Sequence, residues 1–306
     1  MAHIAILLAT FNGQRFLKKQ LDSIASQEDV TWTLWASDDG SQDGTVEILT
    51  QYQAVWGADK LKILHGPCQG FVKNFFSLLT LPQVEADYFA FCDQDDVWHP
   101  RKLITAVQNI QAFGDQCVLY GGRTRLVNEY DQFLGFSPAF LKSPSFENAL
   151  VQSIMGGNTL VFNQPAKLLL AKACVGAEVI THDWWAYLTV SACGGKVVYD
   201  PIPQIDYRQH SANLIGMNQG IAAKLKRLTM MVNGYFKLAN DKNVQALSSV
   251  SHLMTPESRD ALTKFELSRK ASSGLKRTLA FLRSKVFRQT ISGQCGLWLA
   301  FFIRRL

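Results

Sequence analysis

The chain has 306 residues, a net charge of +6, and ordinary apolar (47%) and charged (18%) fractions. This length suits one large domain with an appendage, and the composition is that of a globular protein. No apolar run reaches the roughly 18–20 residues of a membrane span, and the chain start lacks the features of a secretory signal. The six cysteines form no CxxC pair, which favours reduced thiols in a cytosolic protein.

Charge is divided unevenly along the chain. Residues 221–306 carry 16 Lys and Arg against 4 Asp and Glu, a net charge of +12. Residues 1–220 carry 15 against 21, a net charge of −6. We therefore expect a neutral-to-acidic body followed by a basic extension whose partner is an anionic surface.

Short apolar runs alternate with helical patterns through the body. The predicted strands cover residues 3–9, 31–37, 61–64, 88–92, 118–120, 124–127, 159–162 and 197–199. The predicted helices cover residues 15–26, 45–55, 71–81, 102–113, 165–174 and 186–193. Strands that alternate with helices of this length indicate βαβ units and a parallel sheet.

Polar segments end three of these strands, at residues 10–12, 38–41 and 93–95. Ligands of parallel sheets bind outside the carboxyl ends of the strands, so we expect these segments to share one rim. No GxGxxG motif follows the first strand, which disfavours a dinucleotide-binding fold of the dehydrogenase kind.

The most informative segment is FAFCDQDDVW, residues 89–98, in which an apolar run ends in three carboxylates. Clustered carboxylates repel one another unless a cation neutralises them. Oxygen ligands of this kind suit Mg²⁺ or Mn²⁺, which usually share their coordination sphere with water and substrate phosphates. The alternative is an acidic loop that caps the helix beginning near Pro100.

Six motifs occur in the order seen in a known family. They are ATFNG, SDDGSQDGT, FCDQDDVWHPRKL, GGNTLVFN, HDWW and YRQHSAN, within residues 1–215. With these motifs the chain resembles the family 2 glycosyltransferases, and most closely their rhamnosyltransferase-like subgroup. The resemblance implies a GT-A fold, an α/β fold with a Rossmann-like, mostly parallel central sheet flanked by helices. The implied GT-A domain covers residues 1–220, with a nucleotide-binding half at about 1–97 and an acceptor half at about 98–220, and residues 221–306 form a helical extension.

The same resemblance implies roles for individual residues. It places the nucleotide at Thr10, Phe11, Asn12, Asp38, Asp39, Lys73, Asn74 and Asp93, without deciding between Asp38 and Asp39. It places a divalent metal, Mg²⁺ or Mn²⁺, at Asp93, Asp95 and His210. It assigns the catalytic base to Asp183 and acceptor or sugar contacts to Gly157, Asn158, Trp184 and Trp185. Asp183 as a mere helix N-cap remains an alternative, and at least one tryptophan is expected in the core, because adjacent helical residues face different ways.

The activity implied by the resemblance is inverting, metal-dependent sugar transfer. We expect L-rhamnose to move from dTDP-β-L-rhamnose to a lipid-linked saccharide acceptor in synthesis of a cell-surface polysaccharide of the O-antigen or capsule kind. One alternative is a UDP-hexose donor carrying galactose or glucose. An alternative of another class is a non-catalytic glycan-binding or scaffolding protein on the same fold.

The extension carries a helical pattern of its own. Leu275, Leu279, Leu282 and Val286 recur at helical spacing, with Lys and Arg on the remaining faces. A basic amphipathic helix of this kind predicts peripheral attachment to the inner face of the bacterial cytoplasmic membrane. Packing on the body or in a dimer is the alternative, and nucleic-acid binding is disfavoured because no aromatic platform or groove-reading motif is present.

Overall fold

The structure, a computed structural model, describes residues 1–210, Thr229 and 233–306. Its strands are β1 (His3–Thr10), β2 (Thr31–Asp38), β3 (Leu61–His65), β4 (Tyr88–Cys92), β5 (Val97–Trp98), β6 (Val118–Gly122), β7 (Arg125–Asn128), β8 (Phe133–Phe136), β9 (Val161–Asn163), β10 (Lys196–Asp200) and β11 (Ile205–Gln209). The helices of the body are α1 (Gln14–Ala25), α2 (Thr45–Trp56), α3 (Phe71–Thr80), α4 (Lys102–Gln111), α5 (Phe146–Ala149), α6 (Gln164–Ala173) and α7 (His182–Ala192). The helices of the extension are α8 (Tyr235–Ser249), α9 (Pro256–Lys270), α10 (Gly274–Ser284) and α11 (Ile291–Phe302).

A seven-stranded sheet in the order β10-β6-β9-β4-β1-β2-β3 forms the centre of the body. Strands β1 to β4 pair in parallel, and β9 runs antiparallel between β4 and β6. This arrangement confirms the predicted mostly parallel sheet with helices packed against it.

Residues of β1 alternate between two hydrophobic cores, one on each face of the sheet. Ala5 and Leu7 join the core that contains α3, α6 and α7, whereas Ile4, Ile6 and Leu8 join the core that contains α1 and α4. All five are fully buried. A strand buried on both faces reads as a continuous apolar run, which explains the IAILLA segment of the sequence.

A second, four-stranded sheet in the order β5-β11-β7-β8 lies beside the first. Its short strands were not all expected: residues 97–98, 133–136 and 205–209 showed no strand pattern in the sequence. The expected strand at 159–162 begins later, as β9, because a 3₁₀ turn occupies Gly157–Thr159. Strand β11 matters for function because it brings the segment that ends at His210 back to the acidic stretch after β4.

The extension is helical throughout residues 235–249, 256–270, 274–284 and 291–302. Most of its buried apolar residues, among them Leu247, Phe265 and Phe281, belong to the same hydrophobic core as α7 of the body. The predicted boundary near residue 220 and the Ser211–Asn213 end of the last motif lie outside the described residues. Within the part of the chain that is described, no helix has the length and apolarity needed to cross a membrane.

Candidate active site

The carboxyl ends of β1, β2 and β4 meet at one edge of the sheet. Thr10, the last residue of β1, is paired with Asp38, the last residue of β2, and Leu8 is paired with Cys92 at the end of β4. The side chain of Thr10 donates a hydrogen bond to Oδ1 of Asp38 at 2.9 Å. The three polar segments therefore share one rim, as their positions in a parallel sheet predict.

Asp38 organises the loop that follows β2. Its carboxylate accepts hydrogen bonds from the hydroxyls of Thr10 (2.9 Å) and Ser41 (2.5 Å) and from the backbone N–H groups of Ser41 (2.8 Å) and Gly40 (3.2 Å). An ionised carboxylate has about four acceptor positions. All of the positions on Asp38 are thus used within the protein.

Asp39 has fewer partners than Asp38. Its two oxygens each accept one backbone N–H bond, from Cys68 and from Gly70, both at 2.7 Å. These bonds hold the segment before α3 against the end of β2. Each oxygen of Asp39 keeps one acceptor position, so Asp39 has capacity for a ligand that Asp38 lacks.

The loop after β1 is fixed from both sides. The side-chain Oε1 of Gln94 accepts a hydrogen bond from the backbone N–H of Phe11 (2.8 Å), and Nε2 of Gln94 donates one to the backbone carbonyl of Phe11 (2.9 Å). Asn12 adopts a left-handed conformation (φ 48°), and its N–H donates to Oγ of Ser41 at 2.8 Å. The Phe11 ring remains 55% exposed at the rim, where an aromatic face is available to a ligand.

Lys73 and Asn74, at the start of α3, contact other parts of the protein. The Lys73 ammonium donates to the carbonyl of Ala177 (3.1 Å) and forms an ion pair with Glu178 (2.6 Å). Asn74 is buried, and its amide donates to the carbonyl of Ser37 at 2.8 Å. Lys73 thus ties α3 to the segment before α7, and Asn74 supports the end of β2.

Three carboxylates, those of Asp93, Asp95 and Asp96, follow the end of β4. Asp93 is half-buried, and the described residues provide no hydrogen bond to its carboxylate. Its pKa is raised by burial and by the negative charges of Asp95 and Asp183. Asp183 therefore lies close enough to Asp93 to act on its ionisation, although 90 residues separate them in the sequence.

Asp95 faces the end of β11. Its Oδ2 lies 2.9 Å from Nε2 of His210, whose side chain is 9% exposed and packs against the ring of Phe16 at 4.9 Å. His210 thus orients the Asp95 carboxylate. The backbone carbonyl of Asp95 accepts a bond from Nε of Arg208 at 2.9 Å, so β11 and the residue after it hold both the backbone and the side chain of Asp95.

Asp96, Arg208 and Gln94 contribute to the site although the sequence patterns gave them no role. Asp96 is fully buried and accepts bonds from the Asn158 amide (2.6 Å) and from the backbone N–H of Arg208 (3.1 Å). Burial and the neighbouring carboxylates of Asp95 and Asp93 raise its pKa. The only sequence signal for Asp96 is its place as the third carboxylate of the acidic stretch, and for Arg208 its place inside the YRQH motif.

Asp183 lies in the first turn of α7, one residue past the helix start. Thr181 is the N-cap residue, and its hydroxyl accepts from the N–H of Trp184 at 3.4 Å. Asp183 is half-buried, and its Oδ1 accepts from the same N–H at 2.6 Å. The N-cap role left open for Asp183 therefore belongs to Thr181.

His182 anchors the start of α7. It is buried, stacks on Phe75 at a centroid distance of 3.9 Å, and has no hydrogen-bond partner on either ring nitrogen within the described residues. Burial lowers its pKa to about 4, so the ring is neutral at pH 7. A Cβ on Gly157 would lie 2.3 Å from Nε2 of His182. Gly157 therefore makes room for the ring that positions Asp183.

The two tryptophans differ in environment. Trp185 is 1% exposed and belongs to the hydrophobic core. Trp184 is half-buried, and its indole N–H donates to the carbonyl of Ala149 at 2.6 Å. Asn158 is buried with its amide on Asp96. Of the four residues expected to contact acceptor or sugar, only Trp184 retains partly exposed surface.

The donor set at the carboxylates has the chemistry of a divalent-cation site. Among residues 1–210, Thr229 and 233–306, no three His, Cys, Asp or Glu side chains are arranged to hold an ion by themselves. Mg²⁺ and Mn²⁺ sites that act on phosphates commonly use one or two carboxylates and complete the shell with water and phosphate oxygens. Asp93 and Asp95 fit this pattern. Burial and the negative charges of Asp95 and Asp183 raise the pKa of Asp93, and a cation would neutralise part of that negative charge.

Comparison with known proteins agrees with the family resemblance of the six sequence motifs. A family model described as "Glycosyl transferase family 2" matches residues 5–169. The chain is 28% identical over 254 residues to the dTDP-rhamnosyl transferase RfbG of Shigella flexneri, covering 80% of this chain and 86% of that protein.

Two solved structures resemble the fold. One is S. aureus TarS 1–349 in complex with UDP, with a TM-score of 0.57 and 16% identity, covering 99% of this chain and 81% of that one. The other is the mannosyltransferase PcManGT of Pyrobaculum calidifontis in complex with GDP-Man and Mn²⁺, with a TM-score of 0.52 and 14% identity, covering 99% and 86%. At such identities the likeness concerns the fold alone.

Proposed function

Because the chain belongs to glycosyltransferase family 2 and is a glycosyltransferase of the GT-A fold, we propose that it transfers L-rhamnose from dTDP-β-L-rhamnose to a lipid-linked saccharide. The observation that supports this donor is the similarity to the dTDP-rhamnosyl transferase RfbG over four fifths of the chain. The expected setting is synthesis of a cell-surface polysaccharide of the O-antigen or capsule kind.

In this proposal Asp183 is the general base. Its half-buried carboxylate lies near enough to Asp93 to raise the pKa of that group, together with burial and Asp95, and we place the acceptor hydroxyl between Asp183 and the donor's diphosphate. Asp183 takes the hydroxyl proton while the oxygen attacks the anomeric carbon from the side opposite the diphosphate, whose bond to that carbon breaks. A β-linked donor then gives an α-linked product.

Asp93 and Asp95 would hold the metal on the diphosphate. A bound Mg²⁺ or Mn²⁺ supplies positive charge that stabilises the leaving diphosphate. The protein's own contribution is to hold the two carboxylates in place. His210 orients Asp95 through its 2.9 Å contact, and the buried Asp96, bonded to Asn158 and to Arg208, fixes the backbone directly after Asp95.

For the nucleotide, we favour Asp39 over Asp38. Asp38 uses all of its acceptor positions on Thr10, Gly40 and Ser41, whereas Asp39 keeps one on each oxygen. A base or ribose donor can therefore bond to Asp39 without breaking the loop. Asp38, with Thr10 and Asn12, shapes the rim against which the nucleotide lies, and the exposed ring of Phe11 offers it an aromatic face.

The donor is tested by comparing dTDP-β-L-rhamnose, UDP-galactose and UDP-glucose at equal concentration with Mn²⁺. We expect dTDP-rhamnose to raise the melting temperature most, because a ligand that binds only the native state stabilises it according to its affinity. It should also be the only donor consumed when a saccharide lipid extract is added. Parallel measurements in EDTA give the metal-independent part of donor binding. A larger rise in melting temperature together with turnover of either UDP-hexose would contradict rhamnose as the transferred sugar.

We further propose that the extension docks the enzyme on the inner face of the cytoplasmic membrane. Helix α10 buries Arg277, Ala280, Phe281 and Ser284. It leaves Leu275, Leu279 and Leu282 exposed at 72%, 41% and 54%. These leucines lie on one face of the helix, with Lys276 and Arg283 exposed beside them. An apolar stripe flanked by cations suits an anionic bilayer surface.

Replacement of the three leucines by serine should abolish this docking. Burial of a leucine contributes about 1.5–3 kcal/mol, so binding to vesicles should fall by at least tenfold per fully inserted side chain. Sedimentation with phosphatidylglycerol-containing vesicles measures the loss, and binding of the wild-type protein should weaken with salt. Leu141→Ser/Leu168→Ser, at exposed leucines of the body, is the control, and equal binding by both variants would contradict docking through α10.

A further inference from the structure

The extension contains a cavity that is separate from the carboxylate cluster. It has a volume of about 250 Å³ and lies among α8, the end of α9, α10 and the end of α11. This is far above the roughly 10–15 Å³ that admits a water molecule. Five cationic side chains and one carboxylate line it, and we call it the arginine pocket: Lys237, Asp241, Arg269, Lys270, Arg277 and Arg304.

Local carboxylates neutralise only part of this charge. Asp241 pairs with Arg269 at 2.5 Å and with Lys237 at 3.3 Å, and Lys270 pairs with Glu266 at 2.8 Å. Within residues 1–210, Thr229 and 233–306, no carboxylate lies within ion-pair distance of Arg277 or Arg304. Two guanidinium groups of the pocket are therefore left without a counter-ion from these residues.

Arg277 is the more constrained of the two. It is 9% exposed, and its guanidinium donates to the backbone carbonyls of Ser268 at 3.3 Å and Phe301 at 2.8 Å. Burial and the positive charge of Arg304 both lower its pKa. The fold thus holds two like charges near each other beside a cavity, an arrangement that a bound anion stabilises.

Hydrogen bonds to carbonyl groups at helix C-termini explain the positions of only some of these arginines. Arg277 donates to carbonyls near the ends of α9 and α11, as cations at helix C-termini commonly do. Arg269 donates instead to the oxygen of Leu306, four residues past the end of α11. Arg304 has no such bond among the described residues and remains exposed at the cavity. Arg304 therefore presents to the cavity a cation that has no carboxylate partner among the described residues.

We propose that the arginine pocket binds a phosphate-class anion, either a phosphate monoester or a diphosphate. Planar guanidinium groups match phosphate oxygens with paired N–H donors, and the surplus charge favours a dianion. Such a group is carried both by soluble phosphates and by lipid head groups, and basic pockets beside a membrane recognise the latter. The proposal does not depend on the donor sugar or on the transfer reaction.

The test is calorimetric titration of the full-length protein with inorganic pyrophosphate in the presence of EDTA. Without a divalent ion the carboxylate cluster repels this anion, so heat reports on the basic site. Arg304→Gln should weaken binding about tenfold or more, because it removes a charged donor at an exposed position without touching the carbonyl bonds of Arg277. Arg305→Gln is the matched control, since Arg305 is the next residue, exposed, and outside the pocket lining.

Selective loss in Arg304→Gln supports the pocket. The proposal is overturned if the wild-type protein does not bind pyrophosphate. It is also overturned if Arg304→Gln and Arg305→Gln lose the same affinity, because an equal loss indicates attraction by diffuse surface charge. A second arm compares phosphatidylcholine vesicles containing phosphatidic acid with vesicles matched in surface potential by phosphatidylglycerol. Preference for phosphatidic acid that pyrophosphate abolishes supports the pocket with a lipid phosphate as ligand. Equal binding of the two vesicle types, with pyrophosphate binding retained, supports it with a soluble phosphate as ligand.

Discussion

Asp183→Asn should lower turnover about 10²–10⁴-fold, the usual cost of losing a general base. The amide has nearly the shape of the carboxylate but cannot take the acceptor proton at neutral pH. The helix start should survive, because Thr181 remains the N-cap, and the lost interaction of a first-turn carboxylate with the helix dipole is worth only about 0.3–1 kcal/mol. Circular dichroism checks the fold, and single-turnover kinetics measure the loss.

Donor binding separates a base from a positioning residue. After burial and the charge of Asp95, the Asp183 charge also contributes to the raised pKa of Asp93, so its removal should leave metal-dependent donor binding unchanged or slightly tighter. Asp59→Asn is the control, because it makes the same change at a fully exposed carboxylate away from the candidate site. Unchanged turnover in Asp183→Asn, or a turnover loss matched by an equal loss of donor affinity, would remove Asp183 from the role of base.

Local sequence patterns were sufficient to predict the rim of the sheet. Strands β1 and β4 are buried on both faces, so each appears as an apolar run that stops where the polar segment begins. Parallel pairing then places Thr10, Asp38 and Asp93 at the same edge, whatever the side-chain details. Each of these features depends only on residues that lie close together in the sequence.

Contacts between distant segments could not be predicted in this way. Asp96 meets Asn158 and Arg208, which lie 62 and 112 residues away in the chain. No local period marks these three as partners, and β11, which carries Arg208, is only five residues long. The expectation that Asn158 contacts acceptor or sugar could not include its buried bond to Asp96, because only the tertiary structure shows that partner.

Helix α10 illustrates a second limit of periodicity. The spacing of Leu275, Leu279 and Leu282 correctly predicts a helix but does not say which face is covered. Packing against α9 and α11 buries the opposite face, including Phe281 and the guanidinium of Arg277, which donates to carbonyls of both neighbours. Only the tertiary arrangement leaves the leucines exposed, while Val286 of the same pattern is buried.

Asp95→Ala should abolish the metal-dependent part of donor binding while the fold is retained. The Asp95 side chain is 22% exposed, and its hydrogen-bond partner is His210. Its backbone carbonyl, which accepts from Arg208, is unaffected by the substitution. Without this carboxylate, Asp93 alone remains of the pair, so Mn²⁺ should no longer tighten binding of dTDP-rhamnose.

The size of the loss in metal affinity distinguishes a residue that binds the metal from a residue that only orients it. Loss of an outer partner of a metal ligand costs about 10–100-fold in metal affinity, so loss of the ligand itself should cost more. We therefore expect Asp95→Ala to exceed His210→Ala, in which the carboxylate stays but its orientation is released. Both are measured by titrating Mn²⁺ in the presence of dTDP-rhamnose, with Asp59→Ala, at an exposed surface carboxylate, as the control. Equal effects would make His210 a ligand in its own right, and wild-type affinity in Asp95→Ala would exclude Asp95 from the metal site.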